Sequence, residues 1–213
     1  MWLLALLFFL PVVFLWIYRL DFVHPISTLM VRDVMRMEGY KREWIALSDV
    51  AFSVPAGVVM SEDGKFCRHS GVDWDVFLEI LQDDVERLRG GSTVTMQMVK
   101  NLFLWSNRSY VRKIFEIPYS IIADSVLSKK RIMEIYLNIA EWGPRIYGIE
   151  AASFYYFNKS ARNLTIQQAA ALVASLPNPY LRNPHQPTDH FLALIQLIQK
   201  RISISSAYTH CIR

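Results

Sequence analysis

Two adjacent carboxylates and a histidine lie between Ser61 and Asp73, where the chain reads Glu62, Asp63 and then His69. A carboxylate partly removed from water can act as a general base, because desolvation raises its pKa towards the working pH. The structural alternative is that both carboxylates are solvated and the histidine satisfies a loop. This cluster alone favours the structural interpretation, so a catalytic base needs support from elsewhere in the chain.

A second cluster extends from Gly90 to Asn101 and combines two glycines, several hydroxyl side chains and a lysine. Gln97 and Lys100 are three residues apart and share one face of the predicted helix. A helix N-terminus with a nearby lysine is suited to phosphate. The signal is weak by itself, because capped helices with a glycine-rich entry are common, and the pattern is not a Walker loop.

A third cluster places Arg112 and Glu116 on one helical face, four residues apart, with Lys113 beside them. An ordinary surface ion pair is the structural alternative. The basic run 128–131 follows and leads into Glu134, Tyr136 and Asn138, a stretch that could be a solvated helix or a second wall of an anionic site. The same run could indicate nucleic acid, but it lacks exposed aromatic stacking partners. We therefore expect no nucleic-acid partner.

The scaffold for these clusters is predicted to be mainly α, because nearly every apolar pattern has the helical period and alternation of period two is hard to find. Pro118 should kink or interrupt its helix, whose inner side is predicted to include Val111, Ile114 and Ile121. The predicted helices run from Asp73 to Gly90, from Ser92 or Thr93 to about Trp105, from Ser109 onwards, from Ser128 to about Ala140, from Thr165 to Pro177 and from about Asp189 to Ser203.

The amino-terminal residues 1–18 form an apolar run that precedes the first charged side chain, Arg19. A transmembrane helix needs about 17 to 25 apolar residues, so we predict an uncleaved membrane anchor. A cleavable signal peptide is the alternative, but the positive start and the small-residue cleavage site are missing. The basic residues after the run would place the domain in the cytoplasm by the positive-inside rule; the chemistry below requires the opposite side.

The length and composition indicate one domain in addition to the anchor. The chain has 213 residues, of which 53% are hydrophobic and 20% charged, and a net charge of +4 that suits an anionic partner without requiring one. We divide it into the anchor 1–18, a membrane-proximal connecting segment 19–50 that includes a helix, a catalytic domain 51–200 and a tail 201–213. Cys67 and Cys211 are predicted to be unpaired thiols.

The order of the clusters is more specific than any one of them. Five blocks between about Val58 and Pro179 resemble glycosyltransferase family 51, the peptidoglycan glycosyltransferases, and most closely its monofunctional biosynthetic branch. The matching residues are, block by block, Glu62, Asp63, Phe66, His69, Gly71 and Asp73; Gly90 to Asn101; Arg112, Lys113 and Glu116; Ser128, Lys129, Ile132, Glu134, Tyr136 to Asn138 and Gly143; and Gly148, Ala151, Ala152, Tyr156, Phe157, Lys159, Leu164, Thr165, Ala169 and Ala170.

The resemblance implies a lysozyme-like helical domain that polymerises a lipid-linked disaccharide-peptide, lipid II, into glycan strands. The reaction inverts the anomeric carbon and releases undecaprenyl pyrophosphate. Glu62 matches the family's catalytic base, and Glu116 its second essential glutamate, which could organise cations or a divalent metal. The residues expected to bind substrate are Asp63, Phe66, His69, Ser92, Thr93, Gln97, Lys100, Asn101, Arg112, Lys113 and Lys129.

The resemblance also implies partners and a location. The expected partners are lipid II, the growing glycan chain, the membrane and other cell-wall synthesis proteins, with the catalytic domain on the periplasmic side of the inner membrane. No cofactor is required and no metal ligand is assigned, because zinc and calcium spacings are absent; a divalent cation, Mg²⁺ or Mn²⁺, could bind at the pyrophosphate. The motifs of the penicillin-binding domain in bifunctional relatives are absent.

Two alternatives remain open from the sequence. A lytic, glycan-cleaving transglycosylase would also use a helix-borne glutamate, but it needs no cationic cradle such as Lys100, Arg112 and Lys113. An inactive membrane scaffold of cell-wall synthesis is the other alternative, because Pro118 could tilt Glu116. Met96, Met98 and Ser120 also depart from the residues usual in the family.

Overall fold

Helices dominate the computed structural model, which describes residues 2–82, 91–105, 107 and 110–213. The prediction of a mainly α fold is confirmed. The helices are α1 Trp2–Tyr18, α2 Thr28–Met35, α3 Ser53–Glu62, α4 Trp74–Gln82, α5 Val94–Phe103, α6 Tyr110–Val126, α7 Lys129–Ile139, α8 Ile149–Phe157, α9 Ile166–Ser175 and α10 Asp189–Ser203. Short 3₁₀ helices lie between or after these helices, at Leu47–Asp49, Ala161–Asn163, Ser205–Ala207 and His210–Ile212.

Hydroxyl side chains begin several of these helices where the sequence predicts them. Thr93 accepts from the Met96 amide and caps α5, and Ser128 accepts from the Arg131 amide and caps α7. Thr165 caps α9 through a complete capping box. The predicted helix from about Asp189 to Ser203 is α10. The predicted end of α4 at Gly90 and the predicted start of α6 at Ser109 lie outside the described residues.

The amino-terminal helix α1 covers most of the predicted anchor. Within the part of the chain that the structure describes, no helix combines the length and the apolarity needed to cross a membrane. The predicted transmembrane span at 1–18 is therefore unsupported. In the connecting segment 19–50, α2 is the helix that the sequence predicts.

A small three-stranded sheet was not predicted. Its strands are β1 Lys41–Arg42, β2 Glu141–Gly143 and β3 Ile146–Tyr147, in the order β1-β3-β2. β3 pairs in parallel with β1 and antiparallel with β2. Strands of two or three residues are too short to display alternation, so the sequence gives no periodic signal for them. The sheet attaches the connecting segment to the turn that follows α7.

The helix α6 continues through Pro118, so the predicted interruption does not occur, while the predicted kink stays a prediction. Proline removes one main-chain donor, but neighbouring groups hold the helix in place: Tyr119 and Ser120 are buried, and the Ser120 hydroxyl donates to the Glu116 carbonyl at 2.6 Å. The predicted inner side is also partly wrong. Val111 and Ile114 are 56% and 67% exposed, and Ile121 is exposed as well.

Two packed groups of helices form the domain around the site. The helix α5 packs against α6 and α7, and α3 packs against α9 and α10. The largest fully buried side chains include Trp142, Tyr136, Tyr147 and Phe66. α3 belongs to one group and α5 to the other. Residues at the end of α3 meet α5 at the junction between the two groups.

The two cysteines form a disulfide, so the prediction of unpaired thiols is wrong. Cys67 and Cys211 are 144 residues apart in sequence, and their Cα atoms are 5.5 Å apart. Two cysteines at this separation carry no spacing pattern from which pairing could be read. The disulfide joins the tail 201–213 to the loop after α3, and Thr209 and Ile212 of the tail are buried. The tail is thus packed on the domain.

Candidate active site

Glu62 is the last residue of α3 and contacts α5 through its carboxylate. Gln97 donates from Nε2 to Glu62 Oε2 at 3.2 Å, and the Tyr136 hydroxyl donates to Gln97 Oε1 at 3.0 Å. Burial raises the pKa of the Glu62 carboxyl, while the hydrogen bond from Gln97 and the positive charge of Arg182 act in the opposite direction. A carboxylate with a raised pKa and a fixed orientation is suited to general base catalysis.

Asp63 fixes the end of α3 to the start of α5. Its Oδ2 atom accepts from the Val94 amide at 2.8 Å, and its two carboxylate oxygens lie 2.9 and 3.0 Å from His69 Nε2. Phe66 is fully buried, and its ring contacts the His69 ring edge-on at 6.2 Å between centroids. The polar atoms of Asp63 are therefore used within the protein, and the geometry favours a role in positioning Glu62.

The loop after α3 requires a glycine at position 71. Its φ angle is +86°, and a Cβ atom there would lie 2.3 Å from the Ser120 carbonyl oxygen. The Gly71 carbonyl accepts from Thr93 Oγ1 at 2.6 Å. The loop after α3 is therefore in close contact with both α5 and α6, the two helices that carry the cationic residues.

The helix α5 presents Gln97 and Lys100 one turn apart, as the spacing predicts. Ser92, just before the helix, accepts from Lys113 Nζ at 2.9 Å and so connects α5 to α6. Asn101 is buried, and its carbonyl accepts from Thr28 Oγ1 at 3.2 Å, which links α5 to α2. Gln97 is a predicted residue of α5 that the structure brings to Glu62.

Glu116 holds two cations on α6. Arg112 Nε lies 2.6 Å from Glu116 Oε1, and Lys113 Nζ lies 3.3 Å from Glu116 Oε2. The Glu116 side chain is only 2% exposed, whereas the Arg112 and Lys113 side chains are 13% and 28% exposed. Arg112 also donates from Nη1 to the Trp105 and Asn107 carbonyls at 3.1 and 2.7 Å, so both cations are held in place while their side chains stay partly exposed. The predicted tilt of Glu116 by Pro118 does not prevent either contact.

Lys129 lies beside the loop after α3. Its ammonium is 2.5 Å from Asp124 Oδ1, donates to the His69 carbonyl at 2.8 Å and lies 4.7 Å from the centre of the Phe66 ring. These contacts stabilise the loop that carries Asp63 and His69. Lys129 therefore has a structural task in this loop, and its predicted contact with substrate stays a prediction.

Two residues near Glu62 were not among the predicted site residues. Tyr136 matches a family block, but its contact with Gln97 depends on how α7 packs on α5. Arg182 lies beyond the matching blocks, in the loop between α9 and α10, where it donates to the Ala174 carbonyl at 3.0 Å. A single arginine in a proline-rich loop has no periodicity or motif that could have identified it.

Metal binding has little support among side chains. No group of three or more histidine, cysteine, aspartate or glutamate side chains is placed to hold a metal ion within the described ranges. Glu116, the carboxylate that could have served, has each of its oxygens paired with a cation. The donor set at Glu116 therefore does not fit a metal ligand.

The sequence matches the Transglycosylase family profile over residues 30–203, so the chain belongs to that family. Its similarity to individual proteins is also high. It is 52% identical over 212 residues to the biosynthetic peptidoglycan transglycosylase of Brucella suis biovar 1 (strain 1330), covering 99% of this chain and 95% of that protein. Proteins of the same description from Rhizobium johnstonii and Agrobacterium fabrum are 49% and 48% identical, covering 95% and 100% of this chain and 84% and 94% of theirs.

Proposed function

We propose that this chain is a peptidoglycan glycosyltransferase that polymerises lipid II into glycan strands and releases undecaprenyl pyrophosphate. The observation that carries the proposal is the position of Glu62: its carboxyl, whose pKa is raised, is bound by Gln97, which lies on α5 together with Lys100. Family membership and the high identity to biosynthetic peptidoglycan transglycosylases support the same assignment.

In the proposed reaction, the attacking hydroxyl and the leaving pyrophosphate lie on opposite faces of the donor's anomeric carbon. Glu62 takes the proton from the 4-hydroxyl of the acceptor sugar as that oxygen attacks the anomeric carbon of the donor. The bond from the anomeric carbon to the pyrophosphate oxygen breaks on the opposite face, which inverts the carbon. The new glycosidic bond, the proton on Glu62 and the lipid pyrophosphate account for all atoms.

The leaving pyrophosphate gains negative charge in the transition state, so cations already in place lower the barrier. Arg112 and Lys113 have their orientation fixed by Glu116, and Lys100 is on the neighbouring helix. Fixed cations do not need to reorganise during the reaction. We therefore infer that Glu116 acts through Arg112 and Lys113, and that a divalent cation, if used, binds pyrophosphate oxygens.

We also propose that the domain works at the periplasmic face of the inner membrane. The disulfide between Cys67 and Cys211 supports an oxidising compartment, because structural disulfides are rare in the bacterial cytoplasm. An apolar surface on α1, α2 and the residues that follow each of them supports contact with lipid. Its exposed members include Phe9, Leu10, Val13, Trp16, Ile17, Leu20, Phe22, Val34, Met35 and Met37.

Polymerising and glycan-cleaving activities are separated by offering the purified enzyme two substrates. Labelled lipid II in detergent should give a ladder of glycan products, while finished, lipid-free glycan strands should remain intact. Cleavage of the finished strands without ladder formation would favour the lytic alternative. Neither reaction, with a known transglycosylase active on the same lipid II, would favour an inactive scaffold.

A further inference from the structure

One arginine makes several hydrogen bonds to the segment that follows α1. Arg131 lies on α7, and its side chain is only 5% exposed. Its Nε atom donates to the Tyr18 carbonyl at 2.8 Å, and one terminal nitrogen donates to the Leu20 and Val23 carbonyls at 2.9 and 2.5 Å. We refer to residues 18–25 as the exit segment.

The remaining contacts of Arg131 fix its guanidinium from other sides. Its second terminal nitrogen pairs with Glu134 one turn along α7, and its guanidinium lies 5.5 Å from the centre of the Trp44 ring. Glu134 in turn accepts from the Leu47 amide at 2.9 Å. A guanidinium presents several donors in a rigid fork, whereas an ammonium is a single point of charge. Three carbonyls on an irregular segment match that fork.

Trp44 and a second arginine reinforce the same contact. Arg42 donates to the Pro25 carbonyl at 2.7 Å and lies 4.9 Å from the Trp44 ring centre. The His24 ring stacks on the Trp44 ring at 4.3 Å between centroids. The exit segment therefore has a defined path over the domain, although its own sequence forms no helix after Tyr18.

The helix that carries Arg131 also contacts the active site. From α7, the Tyr136 hydroxyl binds Gln97, which binds Glu62, and the Lys129 ammonium binds the His69 carbonyl. The positions 131 and 136 are about 7.5 Å apart along the helix axis. α1 also packs directly against α6, so the exit segment and α6 together determine how α1 stands relative to the catalytic carboxylate.

We propose that Arg131 is a positioning residue that helps to set where α1 and its apolar surface stand relative to the catalytic site. The inference rests on the membrane placement proposed above. A substrate with a long lipid tail is held in the membrane plane, so its sugar and pyrophosphate reach the site only when the site is at a matching height and angle. A substrate with a short tail diffuses freely and does not depend on that geometry.

The test compares two substrates that share the same sugars and pyrophosphate. One is lipid II with its undecaprenyl tail in phospholipid vesicles, and the other is an analogue with a short, water-soluble prenyl tail. Arg131→Gln should lower kcat/KM for the vesicle-bound substrate by about tenfold or more, because misplacement of reacting groups by about an ångström is costly. Turnover of the short-tail analogue should fall by less than about threefold.

The matched control is Lys130→Gln, which removes an exposed cation from the adjacent position of α7 and should change neither activity. Arg131→Lys keeps the charge but loses the fork, so it should show the same selective loss to a smaller extent. Thermal melts establish that each variant is folded.

An equal loss with both substrates, or no loss with either, would overturn the role of Arg131. If both Arg131 variants fail to fold, Arg131 is needed for folding, and the proposed positioning role is overturned as well. A wild-type enzyme that gains nothing from vesicles and a long tail would instead contradict the membrane placement. If the wild-type enzyme prefers the vesicle-bound substrate and Arg131→Gln retains that preference, only the inference about Arg131 is contradicted.

Discussion

Removing the disulfide should lower stability by an amount that the chain-entropy argument predicts. The cross-link closes a loop of 144 residues, which corresponds to about 5 kcal/mol at 25 °C, and losses measured for native disulfides are about 2–5 kcal/mol. For a chain of this size, 1 kcal/mol shifts Tm by about 2–4 °C, so Cys211→Ser should lower Tm by roughly 4–20 °C. The double variant with Cys67→Ser should melt close to the single one, because both lack the same cross-link.

Thermal unfolding with and without a reductant provides the assay. Reductant should lower the Tm of the wild-type protein towards that of Cys211→Ser, and it should leave Cys211→Ser itself unchanged. His210→Ala, an exposed neighbour in the same turn, is the control that keeps the disulfide. The reasoning is refuted if thiol titration shows complete reduction of the wild-type protein while its Tm stays within about 2 °C of the oxidised value.

Three further predictions concern the site. Gln97→Leu removes a hydrogen bond that favours the Glu62 carboxylate, so the pKa of Glu62 should rise and the acid limb of kcat/KM should move to higher pH; an unmoved limb would contradict the contact. Arg112→Lys should lower turnover although charge is kept, because lysine lacks the planar fork; near wild-type rates would show that the fork is not used. Gly71→Ala should destabilise by about 1–3 kcal/mol in denaturant titrations, because Cβ meets the Ser120 carbonyl; an unchanged midpoint would refute that contact.

Local features of the fold were readable from the sequence because local physics decides them. Thr93, Ser128 and Thr165 begin helices through side chains that accept from the amide three residues ahead. The spacing of Arg112 and Glu116 similarly fixed a contact within one helix. Apolar periodicity was less reliable, since it does not distinguish a core from other apolar surroundings, and Val111 and Ile114 are exposed.

Contacts between distant segments could not be read from the sequence. The hydrogen bond from Gln97 to Glu62, the disulfide and the three carbonyls bound by Arg131 depend on how helices pack together. The strands β1 to β3 are too short to carry a pattern. The resemblance placed Glu62 and Gln97 in one site without giving the contact between them, and it ended before Arg182.

The most direct test of the account is the activity of Glu62→Gln with lipid II. Glutamine keeps the shape of the side chain but cannot accept the proton, so chain elongation should fall by about 10²- to 10⁴-fold. Equilibrium binding of the lipid-linked donor should remain close to that of the wild type, because the cations on α5 and α6 are untouched. A fall of less than about tenfold in elongation by a folded variant would show that Glu62 is not the base.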